Sequence, residues 1–102
     1  MLKRDTIFIG HATPEDNEFT LWLQSKLIGE GYLCECDLSL LIGGEADYWK
    51  NLQDILDIHT IKYVLVVSKC TFEKSGVVDE WEYCKSIEKQ YNLKDFIIPI
   101  KI

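Results

Sequence analysis

Tyr63-Val64-Leu65-Val66-Val67 is a continuous apolar run rich in β-branched residues, with no polar interruption. A strand with one face in water alternates apolar and polar side chains. One without alternation is covered on both faces, as in the centre of a parallel sheet. Parallel neighbours need long crossovers, usually helices, and the flanking sequence supplies them. Downstream, Ser75-Gly76 opens a helix expected to carry Val77, Trp81, Cys84 and Ile87 inward. Asp95 then leads into a last strand, Phe96 to Ile100, which Pro99 places at an edge or a bulge.

Upstream, Trp49, Leu52, Ile55 and Leu56 mark a helical stripe. The loop before it, Asp37 to Glu45, contains Gly43-Gly44, which permits large backbone changes and suits gating of a pocket or reaching a neighbouring molecule. Tyr32 to Cys36 sets Glu35 among larger apolar or thiol groups, a half-exposed pattern that fits an edge strand. Further back, a helix is expected to begin at Pro14. Thr13 would be its cap and Glu15 and Asp16 would lie in its first turn, with Phe19, Trp22, Leu23 and Leu27 inward and a stop at Gly29 to Gly31. The first strand is Thr6 to Ile9. The order βαβαβαβ with right-handed crossovers predicts an α/β fold: a flavodoxin-like parallel sheet of order 2-1-3-4 flanked by helices. Ligands collect beyond the carboxyl ends of such strands, where the loops after Ile9, Asp37 and Val67 converge.

A chain of 102 residues, 47% of them apolar, builds one core, so residues 1–102 are read as a single domain. Runs such as Val64 to Val67 fall far below the ~18 apolar residues of a membrane span, and no apolar leader region follows the N-terminal residues. A cytoplasmic protein without membrane contact is expected. Net charge is −6 and the 11 Lys and Arg residues are scattered. The basic stripe that binds a phosphate backbone is missing, which argues against direct nucleic-acid contact. Cys34, Cys36, Cys70 and Cys84 read as reduced thiols, because a Cys-x-Cys pair on one strand face has poor bridging geometry. His11 and His59 do not complete a zinc pattern, so no metal is expected. Walker, G-x-G-x-x-G and Ser-His-Asp patterns are absent.

Three segments in order carry a resemblance: IFIGHATPEDNEF (7–19), GYLCECD (31–37) and EKSGVVDEWEYC (73–84). They resemble the first-strand box, the second strand with its acidic end, and the catalytic-glutamate helix of TIR domains, bacterial ones above all. Within that family, residues 11–32 and FIIPI (96–100) are most similar to the TIR portion of the TIR-APAZ subunits of short prokaryotic Argonaute defence systems. The loop after Asp37 lacks the Arg-Asp and Pro-Gly pairs of many adaptor TIR domains. TIR domains also continue through a further helix, a fifth strand and a closing helix, so this chain is expected to be the N-terminal fragment of a longer one.

The resemblance implies an NAD⁺ glycohydrolase, an effector in antiphage or anti-plasmid defence. Self-assembly of TIR domains would activate it, in association with a short Argonaute subunit through the rest of the chain. NAD⁺ would be substrate, with no cofactor. Glu80 takes the catalytic position by its match to the family's helix, because a carboxylate beside the anomeric carbon stabilises the oxocarbenium-like state. By spacing alone, Glu80 is one more charge on a solvated face shared with Asp79 and Glu82. His11, Ala12 and Thr13 stand where a strand meets a helix N-terminus and suit phosphate or ribose, although Thr13 can simply cap the helix and His11 can satisfy loop carbonyls. Trp49 can stack on a ring or belong to the core. Asp37 can orient the site or cap a turn, and Ser68, just past the central strand, is a further candidate for the substrate site. Two other readings stay open: a non-catalytic TIR–TIR interaction module in signalling, and a relative of nucleoside deoxyribosyltransferases.

Overall fold

The structure is a computed structural model that describes residues 4–36 and 48–102. Four parallel strands, β1 (Thr6–Gly10), β2 (Leu33–Cys36), β3 (Thr60–Val67) and β4 (Ile97–Lys101), lie in the order β2-β1-β3-β4. This is the predicted order, with β3 inside and the Pro99 strand at one edge. Among the described residues, three α-helices lie in the crossovers: α1 (Asn17–Gly29), α2 (Tyr48–Asp54, continued by a π-helical turn through Ile55–His59) and α3 (Ser75–Gln90).

The pleat sorts side chains between two cores. Phe8, Tyr63 and Leu65 face α2 and α3 and join Leu52, Leu56, Val77, Cys84, Ile87 and Phe96. Ile9, Cys34, Cys36, Val64 and Val66 face α1, whose Phe19, Leu23 and Leu27 pack on them. α1 sits over β2 and β1, and Gln24 ties it to that edge by donating to the Cys34 carbonyl at 3.0 Å. The β4 end of the same face is less covered, and Ile98 is 38% exposed.

Helix termini follow their local chemistry. Gly31, at φ +96°, closes α1 in a Schellman arrangement: its N–H donates to the Ile28 carbonyl, and that of Tyr32 donates to the Leu27 carbonyl at 3.1 Å. The π turn passes into β3 without a loop. Its carbonyls are taken up by the Thr60 hydroxyl, which donates to Ile55 at 2.9 Å, and by Arg4, which donates to Leu56 at 3.2 Å and also to the Thr60 carbonyl at the start of β3 at 2.9 Å. Asn92 and Asp95 hold left-handed φ in the turn before β4, a conformation that suits their short polar side chains.

Two expectations need correction. α1 begins at Asn17, not Pro14, and Thr13 does not cap it. Residues 13–16 form a turn closed by Asp16 N–H to the Ala12 carbonyl and Asn17 N–H to the Pro14 carbonyl, and the Thr13 hydroxyl is engaged by His11 instead. Trp22 is 54% exposed, because the inner face of α1 is set by Phe19, Leu23 and Leu27 with fully buried Thr20 beside them. The indole tilts against Phe19 at 5.7 Å and lies under Lys26 at 5.9 Å.

None of the four cysteines is in a disulfide. Burial pushes the Cys34 thiol up from 9.0 to about 11, and Cys36 and Glu35 add repulsion. The folded state therefore holds this proton more tightly than the unfolded chain does. The contribution to stability is complete below pH 9.0 and is lost as pH rises towards about 11. Alkylation at pH 8 is expected to spare Cys34 in the folded protein and modify the half-buried Cys70 first. Peptide mapping by mass spectrometry checks this, and early labelling of Cys34 would contradict the buried edge strand.

Candidate functional site

α3 decides the site. Its buried positions are Val77, Glu80, Cys84 and Ile87, so a glutamate occupies the core stripe where Trp81 was expected. Trp81 sits at the margin, edge-on to exposed Phe72 at 5.4 Å and beneath Lys85 at 3.8 Å. Glu80 is 2% exposed, while its neighbours Asp79 and Glu82 face solvent. The solvated-face alternative for Glu80 is therefore set aside.

The Glu80 carboxylate accepts a hydrogen bond from the Tyr63 hydroxyl at 2.7 Å. Tyr63 is fully buried on β3, and its ring stacks on Phe8 of β1 with centroids 6.2 Å apart and planes 12° apart. Both groups press against the end of β1 at Gly10. A Cβ there would lie 2.6 Å from Glu80 Oε1 and closer still to the Tyr63 hydroxyl. Only glycine leaves that room. Sequence reading missed Tyr63 and Gly10. The available signal was the one hydroxyl in an otherwise aliphatic run, followed on the neighbouring strand by a glycine at its carboxyl end.

The loop after β1 carries His11 and Ala12, both buried, and Thr13, which is exposed. His11 Nε2 lies 2.8 Å from Asn17 Oδ1 and 3.2 Å from Thr13 Oγ1. Its Nδ1 is buried with no hydrogen-bond partner among the described residues. The loop after β3 is tied to this one. Ser68 donates to Asp16 Oδ2 at 2.5 Å, accepts from the Cys70 N–H at 3.2 Å, and its own N–H donates to Thr71 Oγ1 at 2.7 Å. A Lys74–Glu15 ion pair at 2.8 Å joins the same loops, and each partner shifts the other's pKa towards the charged form. A cavity of about 440 Å³, lined by Glu15, Asp16, Glu18, Phe19, Trp22 and Ile102, opens on the α1 side.

Trp49, at the start of α2, is 39% exposed and meets Tyr83 of α3 edge-on at 5.8 Å. It is not a core residue. Burial, with Asp57 and Asp54 nearby, pushes the Tyr83 phenol up. Asp37, Gly43 and Gly44 lie outside the described residues. The structure thus gathers Gly10, Tyr63 and Glu80 against one another, and links the loops bearing His11 and Ser68 beside them.

A parallel 2-1-3-4 sheet with α1 on one face and α2 and α3 on the other is a flavodoxin-like α/β fold, the arrangement that TIR domains share. The TIR domains in the structure of the activated Roq1 resistosome, which directly recognises the pathogen effector XopQ, superpose with a TM-score of 0.80. The two share 18% sequence identity over 95% of this chain and 57% of that one, a likeness that establishes the fold alone. In sequence, the chain is 35% identical over 101 residues to the uncharacterised protein y4cD of Sinorhizobium fredii (strain NBRC 101917 / NGR234). That match takes in 99% of this chain, which spans only 16% of the length of that relative. No family model matches the sequence. No helix among the described residues is long and apolar enough to cross a membrane.

Proposed function

We propose that this domain cleaves the nicotinamide–ribose bond of NAD⁺, with Glu80 as the group that meets the ribose. The burial of Glu80 carries this reading. A carboxylate in a helix's core stripe is costly to keep out of water, and sequences keep such a rule violation chiefly at functional sites. This one lies beside the end of β1, next to the strand-order reversal where doubly wound sheets take ligands.

In the reaction, the glycosidic bonding pair leaves with the ring and neutralises its cationic nitrogen, so the leaving group needs little acid help. Positive charge builds on the ribose, and the Glu80 anion opposes it. Water then bonds to the anomeric carbon and gives up a proton. His11 is assigned to the ribose or diphosphate through Nδ1, once the opening of the site exposes that buried atom, and Ala12 and Thr13, in the turn ahead of α1, to the same groups. Ser68 and Asp37 would border the substrate and Trp49 would offer a ring face.

At 2% exposure, Glu80 meets a ligand only after a rearrangement that uncovers it while its hydrogen bond from Tyr63 stays in place. Assembly is taken as the event that supplies it, since the Roq1 TIR domains belong to an activated resistosome. The isolated domain should then turn over little. A role in defence alongside a short Argonaute subunit rests on the likeness of residues 11–32 and 96–100. The deciding experiment is nicotinamide release by clustered protein, wild type against Glu80→Gln.

A second reading, a non-catalytic interaction module, is favoured by Leu21, Trp22 and Ile28, each about half exposed on α1. It expects clustering without turnover in either form.

A further inference from the structure

We infer that Tyr63 is a positioning residue for Glu80, holding the carboxylate in one orientation against the end of β1. The inference rests on the glycohydrolase reading above and adds a residue to that site. Three observations support it. The phenol donates directly to Glu80 Oε1 at 2.7 Å. The ring is fixed: it is 0% exposed, stacked on Phe8, and sits on a strand paired on both sides. The space that admits the pair is a missing side chain, because glycine alone has no Cβ to collide with the Tyr63 hydroxyl and Glu80 Oε1.

A tyrosine hydroxyl carried on a rigid ring is a better fixed donor than a serine or lysine would be. Only rotation about the C–O bond remains once the ring is packed. Glu80 sits on α3, whereas Gly10 and Tyr63 sit on the sheet, so the hydrogen bond sets the helix residue in register with the strands at which the ribose would lie. A group held this way loses little freedom when charge develops opposite it. A glutamate without the tether would sample rotamers that point away from the anomeric carbon. The role predicts an effect on the chemical step and not on NAD⁺ binding, because Tyr63 itself, buried beneath Gly10, does not touch substrate.

The test uses the full chain clustered at high density on beads, with nicotinamide release followed against NAD⁺ concentration. Wild type, Glu80→Gln, Tyr63→Phe and a variant with 4-aminophenylalanine at position 63 are compared. Tyr63→Phe keeps the ring and its packing on Phe8 and removes one donor, so kcat is expected to fall about 10- to 100-fold while KM stays within about twofold. The amino variant restores a para N–H donor and is expected to recover most of the lost kcat. Thermal melts confirm that each variant is folded at the assay temperature.

A Tyr63→Phe protein with wild-type kcat, or with raised kcat, overturns the inference while leaving the Glu80 assignment intact. So does a well-folded amino variant as slow as the phenylalanine one. Absence of turnover in clustered wild type, or full turnover in Glu80→Gln, removes the glycohydrolase reading and the positioning role together.

Discussion

Glu80→Gln is expected to lower nicotinamide release by the clustered protein at least about 100-fold while leaving the domain folded and able to cluster. The substitution keeps size and shape. Its amide oxygen still accepts from the Tyr63 hydroxyl, so the 2.7 Å contact between α3 and β3 survives in kind. What disappears is the negative charge, the property that opposes the cationic ribose. Stability should change by about 2 kcal/mol or less, in either direction. Relief from burying a charge is offset by two new amide protons in a site 2% exposed. Nicotinamide should appear in step with NAD⁺ loss, and both should vanish together in the variant. If neither form turns over although light scattering confirms clustering, the interaction-module reading takes its place. If both forms turn over alike, a different group carries the chemistry.

The fold was legible because its signals are redundant. The unbroken run at Tyr63 to Val67, the half-exposed Tyr32 to Cys36 and Pro99 in the last strand each constrain one position in the sheet, and the observed order satisfies all three. The site was legible only in part, and two physical effects account for the rest. Hydrophobic periodicity reads a glutamate as polar, so on α3 it selects Trp81 for the inner stripe. Packing instead turns Glu80 inward, because a partner for it waits across the interface on Tyr63. Such a partner is non-local and leaves no trace in local spacing. The same blindness placed Trp22 inside α1, although the helix sits over β2 and β1 and leaves that indole beyond their edge of contact. At Thr13-Pro14 the cap signal was real chemistry with another outcome. The hydroxyl found His11 within its own loop, and the helix started three residues after Pro14.

Gly10→Ala is expected to be the most damaging single methyl in the domain, costing about 2 to 4 kcal/mol in a urea titration. Alanine is unremarkable in most strands, so the size of the effect depends on what surrounds this one. The new Cβ would lie 2.6 Å from Glu80 Oε1, 2.7 Å from Tyr63 Cζ, and nearer still to the hydroxyl between them. None of these atoms retreats easily. Tyr63 is packed on Phe8, Glu80 is held by α3, and β1 is paired to β2 and β3 on its two sides with Gly10 opposite Leu65. Relief must come from moving α3 off the sheet or from turning Glu80 away, and either disrupts the site, so clustered activity should be lost even where the protein remains folded. Combining the change with Tyr63→Phe makes the cause visible. Phenylalanine removes the nearest atom but not Cζ, so the double variant should be more stable than the sum of the two single losses allows, by about 0.5 to 3 kcal/mol of coupling. Strict additivity would place the strain elsewhere, and a Gly10→Ala protein with wild-type stability would mean that Glu80 does not pack against the end of β1.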